Sequence, residues 1–326
     1  MKKALITGIA GQDGSYLAEL LLAEGYEVHG IVRRIAIEDT EHKLKNLRHV
    51  LDRVHLHVAS LDNVLSMIKV IKDLVPDECY HLASSSFVSY SFEDEISILN
   101  NNVNSTHFLL AAIGEFAPRC RVYFSGTSEM FGNVAASPQD EQTPFNPRSI
   151  YGISKVAGYH LVKNYRQQYG LFACSGILYN HESPRRGYEF VTRKIVSSAV
   201  KIKLGRQGVL ALGNLDACRD WGYAPDYVQA MWLMLQADSP DDFVVASGEM
   251  HSVREFVAAV FQELGLDYEK YVKVDPSFFR PAEQIQLCGN PAKAVERLGW
   301  QRTKTFQGLV KAMVESELNL HDAARV

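Results

Sequence analysis

The sequence predicts an α/β protein: a doubly wound parallel sheet joined to a second, smaller, discontinuous substrate-binding domain. Three observations predict it. Short apolar runs alternate with helix-length amphipathic runs from the start of the chain, a glycine-rich turn separates the first pair, and Arg, Pro and polar loop residues gather between Asn180 and Gly213 and again after Met250.

The first apolar strand, Ala4 to Thr7, is followed by Gly8, Gly11 and Gly14 and then by the amphipathic run Ser15 to Glu24. A Gly-x-x-Gly-x-x-Gly turn between strand and helix lets the backbone approach a pyrophosphate, and the helix N-terminus supplies unpaired N–H groups and positive dipole there. Glycines serving only a tight turn are the plainer reading. Further strands are expected at Glu27 to Val32, Val54 to Val58, Glu78 to Ala83, Arg121 to Ser125 and Phe172 to Leu178, with helices at Val64 to Leu74, Ile98 to Ile113 and Tyr151 to Gln168. Asp220 to Leu235 reads as a helix returning to the sheet domain. The expected division is 1–180 plus about 214–240 for the dinucleotide domain, and about 181–213 plus 241–326 for the substrate domain. In such a sheet ligands bind at the carboxyl ends of the strands, where Gly8, Ala83 and Thr127 fall. The asparagine cluster at Asn100, Asn101 and Asn102 has no obvious role.

Composition narrows the class. The chain has 326 residues, 47% hydrophobic, with a net charge of −4 and scattered basic residues, which argues against nucleic acid. No run approaches the roughly 18 apolar residues of a membrane helix, and a strand beginning near residue 3 leaves no room for a signal peptide. Cys79, Cys120, Cys174, Cys218 and Cys288 are odd in number and widely spaced, as expected of free thiols in a reducing cytoplasm. No metal site is expected.

The chemistry concentrates between Phe124 and Lys155: Thr127 and Glu129 in Ser-Gly-Thr-Ser-Glu-Met-Phe-Gly, then Tyr151 and Lys155 in Tyr-Gly-Ile-Ser-Lys. A Tyr-x-x-x-Lys spacing occurs often by chance on one helical face. Behind a glycine-rich turn it gains meaning. A phenol with an unperturbed pKa of ~10 needs help to act as a base, and a lysine one turn away is expected to favour the phenolate. Alcohol oxidation against a nicotinamide needs no carboxylate beside the tyrosine, so Glu129 points to a second proton transfer. At the end of the second strand Arg33 and Arg34 stand where NAD-binding proteins usually place a carboxylate, and arginine suits a 2′-phosphate. A solvated surface pair is the alternative.

Longer blocks sharpen the reading: Thr-Gly-Ile-Ala-Gly-Gln-Asp-Gly-Ser-Tyr-Leu at Thr7, Val-His-Gly-Ile-Val-Arg-Arg at Val28, Thr-Ser-Glu-Met-Phe-Gly at Thr127, Asn-Pro-Arg-Ser at Asn146, Asn-His-Glu-Ser-Pro-Arg-Arg-Gly at Asn180, Phe-Val-Thr-Arg-Lys at Phe190, Arg-Asp-Trp-Gly at Arg219 and Phe-Phe-Arg-Pro-Ala-Glu at Phe278. On these blocks the chain resembles the extended short-chain dehydrogenase/reductase superfamily, and within it the GDP-mannose 4,6-dehydratase family, across nearly its whole length. The resemblance implies a Rossmann sheet holding a tightly bound NADP that is recycled within each turnover, a GDP-sugar substrate, a cytoplasmic location, and a homotetramer with a homodimer as the minimum. It implies cofactor contacts from Gly8, Gly11, Gln12, Asp13, Gly14, Arg33, Ser60, Leu61, Leu82, Ala83, Ser84, Ser86, Tyr151, Lys155, His181 and Arg186. Substrate contacts are implied for Ser85, Asn180, Lys194, Arg219, Arg280 and Glu283, with the two arginines on the diphosphate. In the implied reaction Tyr151 takes the 4-hydroxyl proton, Thr127 bonds that oxygen, Lys155 supports the phenolate, and Glu129 moves a proton from C5 to the departing 6-hydroxyl.

Several positions depart from the family pattern. Ser60-Leu61 stands for Asp-Leu, Ala83-Ser84-Ser85-Ser86 for Ala-Ala-Gln-Ser, Arg33-Arg34-Ile35-Ala36 for Arg-Arg-Ser-Ser, and Ile150 for a proline. The sugar on GDP is thus open to a heptose or N-acetylhexosamine. A C4 reductase or epimerase would use Tyr151 and Lys155 without needing Glu129, and a non-catalytic sensor would need none of the four.

Overall fold

The computed structural model describes residues 1–84, 94–134, 136–279 and 287–323. Four residues expected at ligands, Ser85, Ser86, Arg280 and Glu283, lie outside the described residues.

The chain begins with β1 (Lys3–Thr7), α1 (Gln12–Ala23) and β2 (Glu27–Val32), followed by the short helices α2 (Arg34–Glu38) and α3 (Thr40–Lys43). Next come β3 (Val54–Val58), α4 (Val64–Leu74), β4 (Glu78–His81), α5 (Glu95–Phe116), β5 (Arg121–Thr127), α6 (Ile150–Tyr169) and β6 (Ala173–Leu178). The strand–helix alternation is the expected one, with the ends of elements displaced by a few residues. Beyond it the chain alternates between two lobes: β7 (Asn180–Glu182), α7 (Val191–Lys203), β8 (Leu210–Leu212), β9 (Cys218–Tyr223), α8 (Ala224–Gln236), β10 (Asp242–Val245), β11 (Met250–Ser252), α9 (Val253–Glu263), β12 (Val272–Val274), α10 (Ala292–Leu298) and α11 (Phe306–Ala323).

The main sheet has seven strands in the order β10-β6-β5-β4-β1-β2-β3, paired in parallel throughout. Burial on both faces explains why its strands read as apolar runs. Along β1, Ala4 and Ile6 join the cluster that contains Leu17 and Leu21 of α1 and Met231 of α8, whereas Leu5 points into the cluster built with α4, α5 and α6. Each large apolar side chain so buried contributes roughly 1.5–3 kcal/mol. The strand order reverses between β1 and β4, and that switch point is where a crevice opens at the carboxyl ends.

The second lobe has its own core, in which Val196 and Val200 of α7 meet Phe256 and Val260 of α9 and Val310 and Met313 of α11. Against it lie a three-stranded sheet ordered β11-β9-β7 and the β12-β8 pair. Two expectations are corrected here. Asp220 does not begin a helix: Cys218–Tyr223 is strand, because it pairs with β7 and β11, and the helix starts at Ala224. Residues 241–326 do not belong wholly to the smaller lobe. The four buried residues of β10 pair with β6 as the edge of the main sheet, and α10 closes over that edge, with Lys293 Nζ donating to the Asp242 carbonyl at 2.8 Å.

Candidate active site

Asp13 of α1 and the ends of β4, β5 and β6 face β7 and α7 across a cavity of about 710 Å³. Its wall includes Thr127, Glu129, Tyr151, Ser84, His181 and Arg186, together with Asn180, Lys194 and Arg219. The residues singled out from four separate sequence blocks thus converge on one space.

The glycine turn has the form a pyrophosphate requires. Gly8 has φ +77°, a left-handed conformation that other residues adopt at a cost, and a Cβ on Gly14 would lie 2.3 Å from the Gly8 carbonyl oxygen. Gly11 caps α1 without any side-chain hydrogen bond, so the first-turn N–H groups are left to an anion. These are observations of fit to a dinucleotide. Gln12 and Asp13, expected on the cofactor, have side-chain bonds to the second lobe: Gln12 Nε2 donates to the His181 carbonyl at 3.1 Å, Ser183 Oγ donates to Gln12 Oε1 at 2.8 Å, and Asp13 Oδ2 meets His181 Nε2 at 2.9 Å. Arg33 and Ser60 follow the neighbouring strands β2 and β3, Arg33 exposed and Ser60 half-buried beside Leu61. Leu82 and Ala83 donate their N–H groups to Thr7 Oγ1, each at 3.1 Å, which ties the ends of β1 and β4 together.

Thr127 ends β5 and caps the tight turn Ser128–Met130, its hydroxyl accepting from the Glu129 N–H at 3.3 Å. Thr127 and Glu129 are therefore set relative to each other by one turn. Tyr151 sits in the first turn of α6, whose cap Ser149 accepts from Gly152 N at 3.0 Å. A Cβ on Gly152 would approach the Glu129 carbonyl to 2.8 Å, so only glycine lets α6 come this close to the Glu129 turn. The helix N-terminus favours a phenolate at Tyr151.

Lys155 is buried one turn on, its Nζ donating to the Ser125 carbonyl at 2.7 Å and lying 5.8 Å from the centre of the Tyr151 ring. The surroundings of the phenol oppose the lowering expected from Lys155. Burial, and then the Glu129 charge, push Tyr151 up to about 12, against hydrogen bonding from Thr127 and Ser84 and the charge of Arg186. Burial brings Lys155 down to about 7, so near neutral pH it carries only part of a charge.

Beneath the site runs a buried polar chain that the sequence did not reveal. Thr7 Oγ1 already accepts two N–H groups, so it donates to His81 Nδ1 at 2.9 Å; the opposite ring nitrogen then donates to Thr106 Oγ1 at 3.2 Å. Thr106 donates to the Asn102 carbonyl, Asn102 Nδ2 to Ser154 Oγ at 3.0 Å, and Ser154 to the Tyr151 carbonyl at 2.7 Å. Burial, reinforced by Lys155, holds His81 down at about 3 and thus neutral. The asparagine cluster, without a role in the sequence, supplies this link through Asn102. A histidine at the end of a strand was the available signal.

On the far wall Arg186 pairs with Glu182 through Nε at 3.1 Å and lies 3.5 Å over the Phe190 ring, while the Thr192 hydroxyl donates to the same carboxylate. Glu182 and Thr192 were not anticipated. Lys194 Nζ donates to the Ala211 carbonyl at 2.9 Å and lies 4.1 Å from the Phe278 ring, and burial lowers its pKa. Arg219 donates to the Cys218 carbonyl at 2.7 Å. Cations thus line the second-lobe side, and the acid/base groups the sheet side. Among the described residues no group of His, Cys, Asp and Glu forms a metal site, and no helix is long and apolar enough to cross a membrane.

The profile of the GDP-mannose 4,6 dehydratase family matches residues 5–313. GDP-mannose 4,6 dehydratase 2 of Arabidopsis thaliana is 47% identical, covering 100% of this chain and 89% of that protein. GDP-mannose 4,6 dehydratase of Homo sapiens is 45% identical over 97% of this chain and 91% of its own length. Among solved structures, UDP-glucose 4-epimerase of Thermus thermophilus in complex with NAD superposes with a TM-score of 0.83 at 25% identity, covering 97% of this chain and 98% of that one.

Proposed function

The chain belongs to the GDP-mannose 4,6-dehydratase family, and on that premise we propose that it converts GDP-mannose to GDP-4-keto-6-deoxymannose with a tightly held NADP. The observation that carries the reading is Glu129, placed by the Thr127 turn on the wall of the same cavity as Tyr151 and felt by its phenol as a charge. A C4 reductase or epimerase has no use for that carboxylate.

When bound, a nicotinamide would supply a hydride acceptor for C4 and then a hydride donor for C6, with positive charge near the phenol while oxidised. The chain does the rest. The glycine turn and the α1 N-terminus hold the pyrophosphate, Arg33 meets the 2′-phosphate, and His181 and Arg186 close the site from the second lobe. Lys194, Asn180 and Arg219 hold the nucleotide end of the substrate, with Arg280 and Glu283 proposed for the same task and Ser85 for the sugar. Thr127 orients the 4-oxygen, and Tyr151 Oη takes its proton. A ketone at C4 acidifies C5, so Glu129 removes the C5 proton and passes a proton to the 6-hydroxyl, which leaves as water. Reprotonation at C5 uses the equivalent of the proton that Tyr151 took, and the net change is loss of one water. We further propose a cytoplasmic homotetramer.

Incubation of the purified protein with a panel of GDP-sugars, without added NADPH, tests this reading. GDP-mannose should lose one water. Inversion at C4 with the mass retained would replace the dehydratase reading with the epimerase one, and turnover of only a GDP-heptose or GDP-N-acetylhexosamine would move the substrate.

A further inference from the structure

Segment 181–190 crosses from the second lobe over the first turns of α1, and it carries two adjacent arginines that point to different tasks. Arg186 lines the cavity. Arg185 engages the outer side of α1: its Nη1 donates to Ser15 Oγ at 3.0 Å, its Nη2 pairs with Glu19, and its guanidinium lies 3.9 Å from the centre of the Tyr16 ring. Glu19 is held in turn by His49 Nε2 at 2.6 Å. Farther along, Tyr188 lies between Lys45, 5.5 Å from its ring centre, and Arg193, which donates to its hydroxyl at 3.2 Å. The segment is thereby fastened to the dinucleotide lobe at three successive places: His181 on Asp13, Arg185 on Ser15 and Glu19, and Tyr188 beside Lys45.

We propose that 181–190 is a retention strap across the dinucleotide site and that Arg185 is its latch, a positioning residue that keeps the cofactor from leaving between outward and return hydride transfer. The proposal rests on the reading that the chain uses one dinucleotide throughout each turnover. Its physical basis is the place of the contacts. Every α1 side chain that Arg185 touches lies within about two turns of Gly11, where the pyrophosphate docks, so release requires the strap to lift and these contacts to break together. The Arg185–Glu19 pair is partly buried, with side chains 20% and 32% exposed, so it strengthens the closed form without being insensitive to salt.

The test is the release rate of labelled NADP from the loaded protein after a chase with unlabelled NADP, with labelled NAD as a parallel arm. Arg185→Ala is expected to release the label about tenfold faster than the parent, and Glu19→Gln to do the same in part. The double variant should be no faster than Arg185→Ala, because the two act through one contact. Raising ionic strength should quicken release from the parent and leave Arg185→Ala nearly unchanged. Release at the parent rate from Arg185→Ala, or independent effects that multiply in the double variant, would overturn the latch while leaving the dehydratase reading intact. A parent protein that retains neither dinucleotide would overturn both.

Discussion

Asp13 Oδ2 and His181 Nε2, 168 residues apart in the chain, meet at 2.9 Å and join the first turn of α1 to β7 of the second lobe. Each group overcomes its own burial through the other. Burial alone would raise Asp13, yet the His181 charge and hydrogen bond hold it below the usual carboxylate range; burial alone would lower His181, yet Asp13 holds it above the usual imidazole range.

A pH dependence of stability follows. The His181 contribution is fully present below the unfolded value of 6.5 and is lost as pH rises through its raised folded value; the Asp13 contribution is present above 3.8 and is lost as pH falls through its depressed one. Asp13→Asn should therefore destabilise the protein most between these values, by roughly 1.5–3 kcal/mol, and clearly less in alkaline solution. Denaturant titrations of parent and variant at pH 5 and pH 9 measure the two differences, and equal losses would assign the pair a purely steric role.

Lys155 gives the opposite slope. Its folded pKa of about 7 lies below the ordinary 10.5, so charge on the buried ammonium opposes folding, and this cost disappears as pH climbs from about 7 to 10.5. Against a Lys155→Met variant, parent stability should rise across that interval by an amount on the order of a few kcal/mol. A flat difference between the two would place Lys155 in contact with solvent.

Glu129→Gln separates the two proton transfers. The variant should still oxidise C4, so absorbance of reduced nicotinamide accumulates while water loss falls by at least about a hundredfold, the lower range for removal of a general base. Tyr151→Phe should abolish both signals. Water elimination by Glu129→Gln at the parent rate would make the carboxylate structural.

Arg33 follows β2 and is exposed, so its value lies in what it meets. If it meets the 2′-phosphate, Arg33→Ala should weaken NADP by about ten- to a hundredfold and NAD far less, as expected for a charged hydrogen bond of roughly 1.5–3 kcal/mol. Isothermal titration with both dinucleotides reads this directly. Tight NAD binding by the parent protein, with no discrimination lost in Arg33→Ala, would return Arg33 to the solvated surface and move the cofactor to NAD.

Gly14→Ala tests the cradle. Its new methyl would lie 2.3 Å from the Gly8 carbonyl oxygen, which is backbone and cannot swing aside, so the turn must shift. Dinucleotide affinity should fall more than about tenfold while far-ultraviolet dichroism stays unchanged. Undiminished affinity would mean that the turn does not seat the pyrophosphate.

Features that depend on neighbours in the chain were determined by sequence alone. The Gly8–Gly14 turn, the shared face of Tyr151 and Lys155, and the alternation of strand and helix are set within a few residues by backbone freedom and side-chain period. Tertiary structure decided what depends on distant partners and on exclusion of water. β10 was too short to stand out until β6 offered it a parallel edge, and Asp220 became strand because β7 and β11 flank it. Nothing local to His181 announces Asp13, and nothing local to Asn102 announces Ser154. The inverted titration of Tyr151 and Lys155 has the same origin. Helical spacing brings the pair together, but the closure of the surrounding strands and helices removes the water that would otherwise stabilise their charges.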